Sequence, residues 1–238
     1  MKNQYVADIN DYRKYGLLRI LSGYGAISTG VCWMLTAPDK RPDGKFLDYL
    51  ENRNLDKLRP FDPPLFDAMY EIIHGIKQRH VAHVEQSEIL PNTSFHSTVI
   101  QDAHSDRTSY FNVMANAFCH ADLVFFDPDN GLEVESKPKG RRDSCKYLYR
   151  DELFRTYTDG HSVLMYQHFC RENRDPFITR IASSISEQTG PNIYSFRTSN
   201  VVFFLAAQRD KLDHFAKQAQ IVSSRWAGQI ETLRHFKD

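Results

Sequence analysis

The sequence predicts a doubly wound α/β fold: a mostly parallel sheet with helices on both faces, closed by a C-terminal antiparallel strand pair. Three observations predict it. Short apolar runs rich in β-formers alternate with segments of helical period along the chain. Two of these runs, Ile193 to Phe196 and Val201 to Ala206, are separated only by Arg197 to Asn200, and so tight a connection makes antiparallel neighbours. No internal repeat or composition shift divides the 238 residues, which predicts one domain over 1–238 with a helical insertion at 40–79 after the first strand.

Each element follows from its local pattern. Asp8 to Leu21 carries Tyr12, Tyr15, Leu17, Leu18 and Leu21 at helical spacing, with Asn10 or Asp11 available as the N-cap. Val31 to Thr36 is a buried-strand run ended by Ala37-Pro38. Pro60 to Pro64 reads as a loop, and Leu65 to Ile76 has a helical stripe. Val81 to Val84 and Ser94 to Val99 read as short strands around the Pro91-Asn92 turn. Helices are expected at Tyr110 to Cys119, Tyr147 to Tyr157, Pro176 to Ser186 and Lys211 to Ala219, with a polar helical tail at Ser223 to Phe236. Strands are expected at Leu123 to Phe126 and Ser162 to Tyr166.

Composition narrows the function classes. Lys+Arg 30 balances Asp+Glu 30, which argues against a protein that coats nucleic acid through overall charge. No apolar stretch approaches the ~20 residues of a membrane helix, and MKNQYVADINDYRKYG lacks a signal-peptide layout. Cys32, Cys119, Cys145 and Cys170 are scattered and form no CxxC pair, so reduced thiols and a cytoplasmic location are expected. His80 and His83 have ligand spacing, but no cysteine pair accompanies them and no metal site is expected.

The sharpest local feature is Ala121-Asp122-Leu123-Val124-Phe125-Phe126-Asp127-Pro128-Asp129-Asn130-Gly131-Leu132-Glu133. An apolar strand delivers Asp127 at its carboxyl end, where open α/β sheets bind ligands, and Pro128, Asn130 and Gly131 turn the chain abruptly. The same residues could serve simply as a turn, but two carboxylates beside an amide exceed what a turn needs. Asp127, Asp129 and Asn130 are therefore catalytic candidates. So is His168: the run Val163 to Arg171 places Tyr166, Gln167 and His168 at the next strand's carboxyl end, and histidine titrates near neutral pH.

The Asp127-Pro128 step resembles the Asp-Pro-Pro-Tyr motif of amino-methyltransferases acting on adenine, a group built on the class I S-adenosylmethionine-dependent (Rossmann-like) fold. The resemblance implies that Asp127 accepts a hydrogen bond from the target amino group of a flipped base. Asp129 stands in place of the second proline and Asn130 in place of the stacking aromatic. The stretch Asn10-Asp11-Tyr12-Arg13-Lys14-Tyr15-Gly16 is similar to the N-terminal helix of 23S rRNA adenine-N6 methyltransferases, with Lys14-Tyr15 standing where those proteins have Lys-His. That implies Lys14, Tyr15, Tyr166 and Gln167 as substrate-binding residues; an ordinary amphipathic helix would place Lys14 in water. The DINDYRKYGLLR, DPDNGLE and YQH segments together also resemble a family of bacterial proteins without assigned activity.

The implied cofactor is S-adenosylmethionine, with Asp39, Asp43, Gly44 and Glu85 as the residues to hold it. Here the chain departs from the family: the stretch after Val31 to Thr36 contains a single glycine, Gly44, where backbone approach to a cofactor calls for several. Downstream of the Asp127 turn, Lys137, Lys139, Arg141, Arg142, Lys146 and Arg150 face Asp143 alone, a local excess of positive charge. Such a loop, expected to be mobile, would contact substrate phosphates, with Lys137, Lys139, Arg141 and Arg142 as substrate-binding residues and nucleic acid or a nucleotide as partner.

The leading expectation is a methyltransferase-like protein acting on an amino group of nucleic acid or a related substrate. A Mg²⁺-dependent nuclease or phosphodiesterase is the first alternative, drawing on Asp127, Asp129, Glu133 and a Glu135-Ser136-Lys137 segment. A non-catalytic binding module on a degenerate methyltransferase fold is the second.

Overall fold

A computed structural model describes residues 1–38, 44, 46–51 and 54–235. Its centre is a seven-stranded sheet built from β1 (Thr29–Cys32), β2 (Thr93–His96), β3 (Leu123–Phe126), β6 (Ser162–His168), β7 (Ile193–Arg197), β8 (Val201–Ala206) and β9 (Glu231–His235). The order across the sheet is β2-β1-β3-β6-β8-β7-β9. The first four strands are mutually parallel, whereas β8 runs antiparallel between β6 and β7, and β9 runs antiparallel to β7. Two short segments, β4 (Gly131–Leu132) and β5 (Tyr147–Leu148), pair as a separate parallel ribbon after the Asp127 turn.

Strand sequences explain the layering. Side chains alternate across the sheet, and the central strands are buried on both faces, so they read as continuous apolar runs. Val31, Leu123, Phe125, Leu164, Phe203 and Leu205 face one layer. It contains α1 (Ile9–Leu21), the helical segment between β1 and β2, and α8 (Leu212–Arg225). Cys32, Val124, Phe126, Val163, Met165, Val202 and Phe204 face the other. That side is formed by α5 (His104–Ala117), α6 (Arg150–Thr158) and α7 (Arg174–Thr189).

Four expectations shift. The N-cap of α1 is Asp8, whose side chain accepts from the amides of Asn10 and Asp11, two to three residues earlier than the sequence suggests. The first strand ends at Cys32; Leu35 then makes a lone bridge to Val99. Helical structure between β1 and β2 runs past the expected insertion: α2 (Leu55–Leu58), α3 (Pro63–Tyr70), a π-helical turn at Glu71–Ile76, and α4 (Val81–Gln86). The Val81 to Val84 run is thus helical. Asn3 Oδ1 and His80 Nδ1 accept from the amides of Val81 and Ala82, satisfying the first turn, and Val81 and Val84 are both buried. Finally, the C-terminal tail is helical only to Arg225 and then forms edge strand β9, held to β7 through its backbone.

Among the described residues no helix is long and apolar enough to cross a membrane.

Candidate functional site

The carboxyl ends of β3 and β6 open into a cavity of ≈ 340 Å³. Asp127, Pro128, Asp129 and Asn130 line it from the β3 turn, Tyr166 and His168 from β6, and Asp8, Asn10, Asp11 and Lys14 from α1. Met1, Lys2, Tyr5, Gly44, Phe46 and Lys146 complete the wall. The expected site residues Asp127, Asp129, Asn130, His168, Lys14 and Tyr166 thus meet in one place.

Lys14 is the electrostatic centre. Its ammonium lies 2.6 Å from Asp127 Oδ2 and 2.6 Å from Asp11 Oδ1, and only 2% of the Lys14 side chain is exposed. Burial alone would lower its pKa, but Asp11 and Asp127 reverse the sign and hold the ammonium above its usual range. Lys14 is therefore not in water, as an ordinary amphipathic helix would have it. Tyr15 is fully buried behind the cavity, where its hydroxyl donates to Asp11 Oδ2 at 3.1 Å; it supports the cluster and does not face a ligand. Burial raises the Asp11 pKa and Asp127 adds to that, while Lys14 opposes both. Asp8 is pushed up to about 7, by burial first and Asp11 second.

Asp129 is held on the opposite wall. Thr36 Oγ1 donates to its Oδ2 at 2.7 Å, the Met1 amino nitrogen lies 2.8 Å from Oδ1, and Lys2 Nζ is 3.5 Å from Oδ2. The same Met1 nitrogen donates to the main-chain carbonyl of Asp127 at 2.9 Å. Burial would raise the Asp129 pKa, but these cations and the threonine bring it below the usual carboxylate value. Tyr166 OH lies 3.0 Å from His168 Nε2. His168 is solvent-exposed at the strand end, yet partial desolvation at the cavity mouth lowers its pKa, against the opposing pull of Asp129 and Asp127.

Gln167 does not face the cavity. Strand alternation turns it to the other side of β6, where it is buried; its Oε1 accepts from Leu132 N at 2.8 Å and its Nε2 donates to Asn130 O at 3.2 Å. It fixes the turn that presents Asp129 and Asn130. Gly131 makes this approach possible: its φ is +114° and a Cβ there would lie 2.3 Å from Gln167 Oε1.

The basic loop is hydrogen-bonded to its surroundings, and much of its charge is paired. Asp102 accepts from the amides of Asp143 and Cys145 and from Ser144 Oγ, which pins the segment against the start of α5. Lys137 and Lys146 pair with Asp143, Lys139 with Asp151 and Glu152, and Arg150 with Glu133. Arg141 and Arg142 are exposed, with no ion pair among the described residues. Lys137, Lys139, Arg141 and Arg142 do not line the cavity, and of this loop only Lys146 does.

The residues expected to hold S-adenosylmethionine divide. Asp39 and Asp43 lie outside the described residues. Gly44 lines the cavity. Glu85 sits on α4 and is engaged by Trp33 Nε1 at 2.8 Å and Ser97 Oγ at 2.5 Å. Beyond β1 the chain runs through buried Trp33, Met34 and Leu35, with the Trp33 ring stacked on Phe95 at 5.9 Å. From residue 33 to residue 38 the described chain contains no glycine, so these residues do not form the glycine-lined cradle this cofactor needs there. No three His, Cys, Asp or Glu side chains among the described residues cluster to hold a metal ion.

The sequence reading missed Asp8, Asp11, Met1, Lys2, Tyr5 and Phe46 as site residues, and had Lys146 only as a member of the basic run. One signal was available: Asp8, Asp11 and Lys14 recur every three residues at the start of one helix and so share a face.

No family model and no curated protein matches the chain. A solved structure is similar, that of protein LPL1258 from Legionella pneumophila str. Philadelphia 1, described under family DUF519. It is 9% identical, with a TM-score of 0.49, over 98% of this chain and 97% of that one. Likeness at that level says nothing about what this chain does.

Proposed function

We propose that this is a methyltransferase-like protein whose Asp127 cavity seats an amino group of a nucleotide or a nucleic-acid base. One observation carries the reading. Asp127 stands at the carboxyl end of β3 in a cavity large enough for a small ligand, with Oδ2 taken by Lys14 and no described residue donating to Oδ1. A carboxylate so arranged, with one oxygen held by the Lys14 ammonium, leaves the other as an acceptor for an N–H donor. The antiparallel insertion of β8 between β6 and β7 supports the same class, because class I methyltransferases use that arrangement. Fold likeness alone would not carry the function.

A second reading, a binding module on a degenerate methyltransferase fold, is favoured by the buried, glycine-free stretch that follows β1 and by the engagement of Glu85 with Trp33 and Ser97. The two separate in a thermal-shift assay with adenosine and cytidine monophosphates and with S-adenosylhomocysteine. Ligand at 100 times its dissociation constant stabilises the folded state by about 2.7 kcal/mol. The nucleotides should raise the midpoint of the native protein and not that of Asp127→Ala. A shift with S-adenosylhomocysteine would favour the enzyme over the binding module. No shift with any nucleotide would overturn the proposal.

A further inference from the structure

We infer that Asp8 is the specificity-determining acceptor of the cavity, the residue that selects an amino-bearing ring over its keto counterpart. The inference rests on the nucleotide-binding reading of the Asp127 cavity and names the group that would discriminate there. Asp8 lines the cavity and is only 6% exposed. Its two oxygens have different duties. Oδ1 accepts from the amides of Asn10 and Asp11 at 2.8 and 3.0 Å, capping α1. Among the described residues no group donates to Oδ2. Lys14 does not supply that missing donor, because its ammonium is shared between Asp11 and Asp127.

A second observation points to a planar ligand. Phe46 lines the same cavity and is 61% exposed, a large exposure for an aromatic ring. Its main-chain carbonyl accepts from Ile9 N at 3.1 Å, immediately after Asp8, so the Phe46 backbone is tied to the helix start that carries the carboxylate. Tyr5 also lines the cavity. A ring seated against Phe46 would present its edge to Asp8 and Asp127, two acceptors that favour N–H over C=O. The Asp-Pro-Pro-Tyr motif has its aromatic directly after the turn; here Asn130 occupies that place and Phe46 supplies a ring from a distant part of the chain.

The groups that face Asp8 set how its charge responds to pH. Asp11, Arg13, Lys14 and Tyr15 act from α1, Arg79 and Tyr49 from the segment between β1 and β2, and Tyr166 from β6. With Asp8 held near neutral titration, raising pH from 6 to 8 converts it from a mixed donor and acceptor to an acceptor only, which should increase amino selectivity.

The decisive variant is Asp8→Asn. Asparagine caps helices as well as aspartate does, so α1 is retained. Its amide, however, turns the free oxygen into a donor. Binding of adenosine versus inosine monophosphate and of cytidine versus uridine monophosphate would be measured by calorimetry on the full chain at pH 8, with circular dichroism as the fold control. The native protein should prefer the amino member of each pair by about ten- to hundredfold, and Asp8→Asn should abolish or invert that ratio. A native protein that binds both members equally, or an Asp8→Asn variant that keeps the preference, overturns the role of Asp8 and leaves the cavity reading standing. Absence of binding to all four nucleotides overturns both.

Discussion

Replacing Lys14 with methionine removes one charge and keeps nearly all of the side-chain volume, which makes it a clean probe of the cluster under the cavity. In the native protein the ammonium is 2.6 Å from both Asp11 and Asp127, and all three side chains are at most 5% exposed. Without it, two buried carboxylates face each other with no cation between them. The protein can relieve this by protonating Asp11, whose pKa burial already raises from 3.8. Taking up a proton at pH 7 against an ordinary carboxylate pKa near 4 costs about 4 kcal/mol, which caps the penalty and agrees with the ~3–5 kcal/mol typical of a broken buried pair. The sign follows. A carboxylate whose folded pKa is raised contributes stability below its unfolded pKa and loses it as pH rises through the folded one. The deficit of Lys14→Met should therefore be at most about 4 kcal/mol at pH 7 and at most about 1.5 kcal/mol at pH 5, read from urea unfolding. A deficit below about 1 kcal/mol at pH 7, the range of an exposed pair, would refute the buried triad. A deficit independent of pH would mean that packing, not charge, was lost.

Two further outcomes are expected. Asp8→Asn should stabilise the protein at pH 8 by as much as about 3–4 kcal/mol and leave it nearly unchanged at pH 4, because the aspartate rises from 3.8 to about 7 on folding and its burial penalises only the ionised form; equal unfolding curves at pH 8 would contradict this. Gly131→Ala should cost about 2–4 kcal/mol, since alanine is strained at a φ of +114° and its Cβ displaces Gln167 from Leu132 N; a loss under about 0.5 kcal/mol in the same unfolding assay would show that the turn has room to adjust.

What the sequence disclosed depended on where the stabilising partners lie. Leu123 to Phe126 was legible residue for residue, because a strand buried on both faces is written as an uninterrupted apolar run, and Asp127 followed from its carboxyl end. Lys14 was legible as a candidate, but its burial was not, since Asp127 arrives from 113 positions away. The run Val81 to Val84 looked like a strand because four residues cannot distinguish helix from strand; the caps from Asn3 and His80 decided it. Glu231 to His235 looked helical because an edge strand paired through its backbone needs little apolar alternation. The charge run at 137–150 looked available to phosphates, whereas Asp151 and Glu152 from α6 and Glu133 from the β4 segment satisfy much of it. Phe46 carried no motif at all, and Asp8 only its three-residue spacing with Asp11 and Lys14. They become site residues only when the start of α1 folds over the strand ends.

A structure of the protein crystallised with cytidine or adenosine monophosphate tests the central claim most directly. The account predicts the base in the cavity between Phe46 and the Asp127 turn, with its exocyclic amino nitrogen within hydrogen-bonding distance of an Asp127 or Asp8 oxygen. A nucleotide bound instead along the 137–150 loop, with the Asp127 cavity filled by protein, would contradict it.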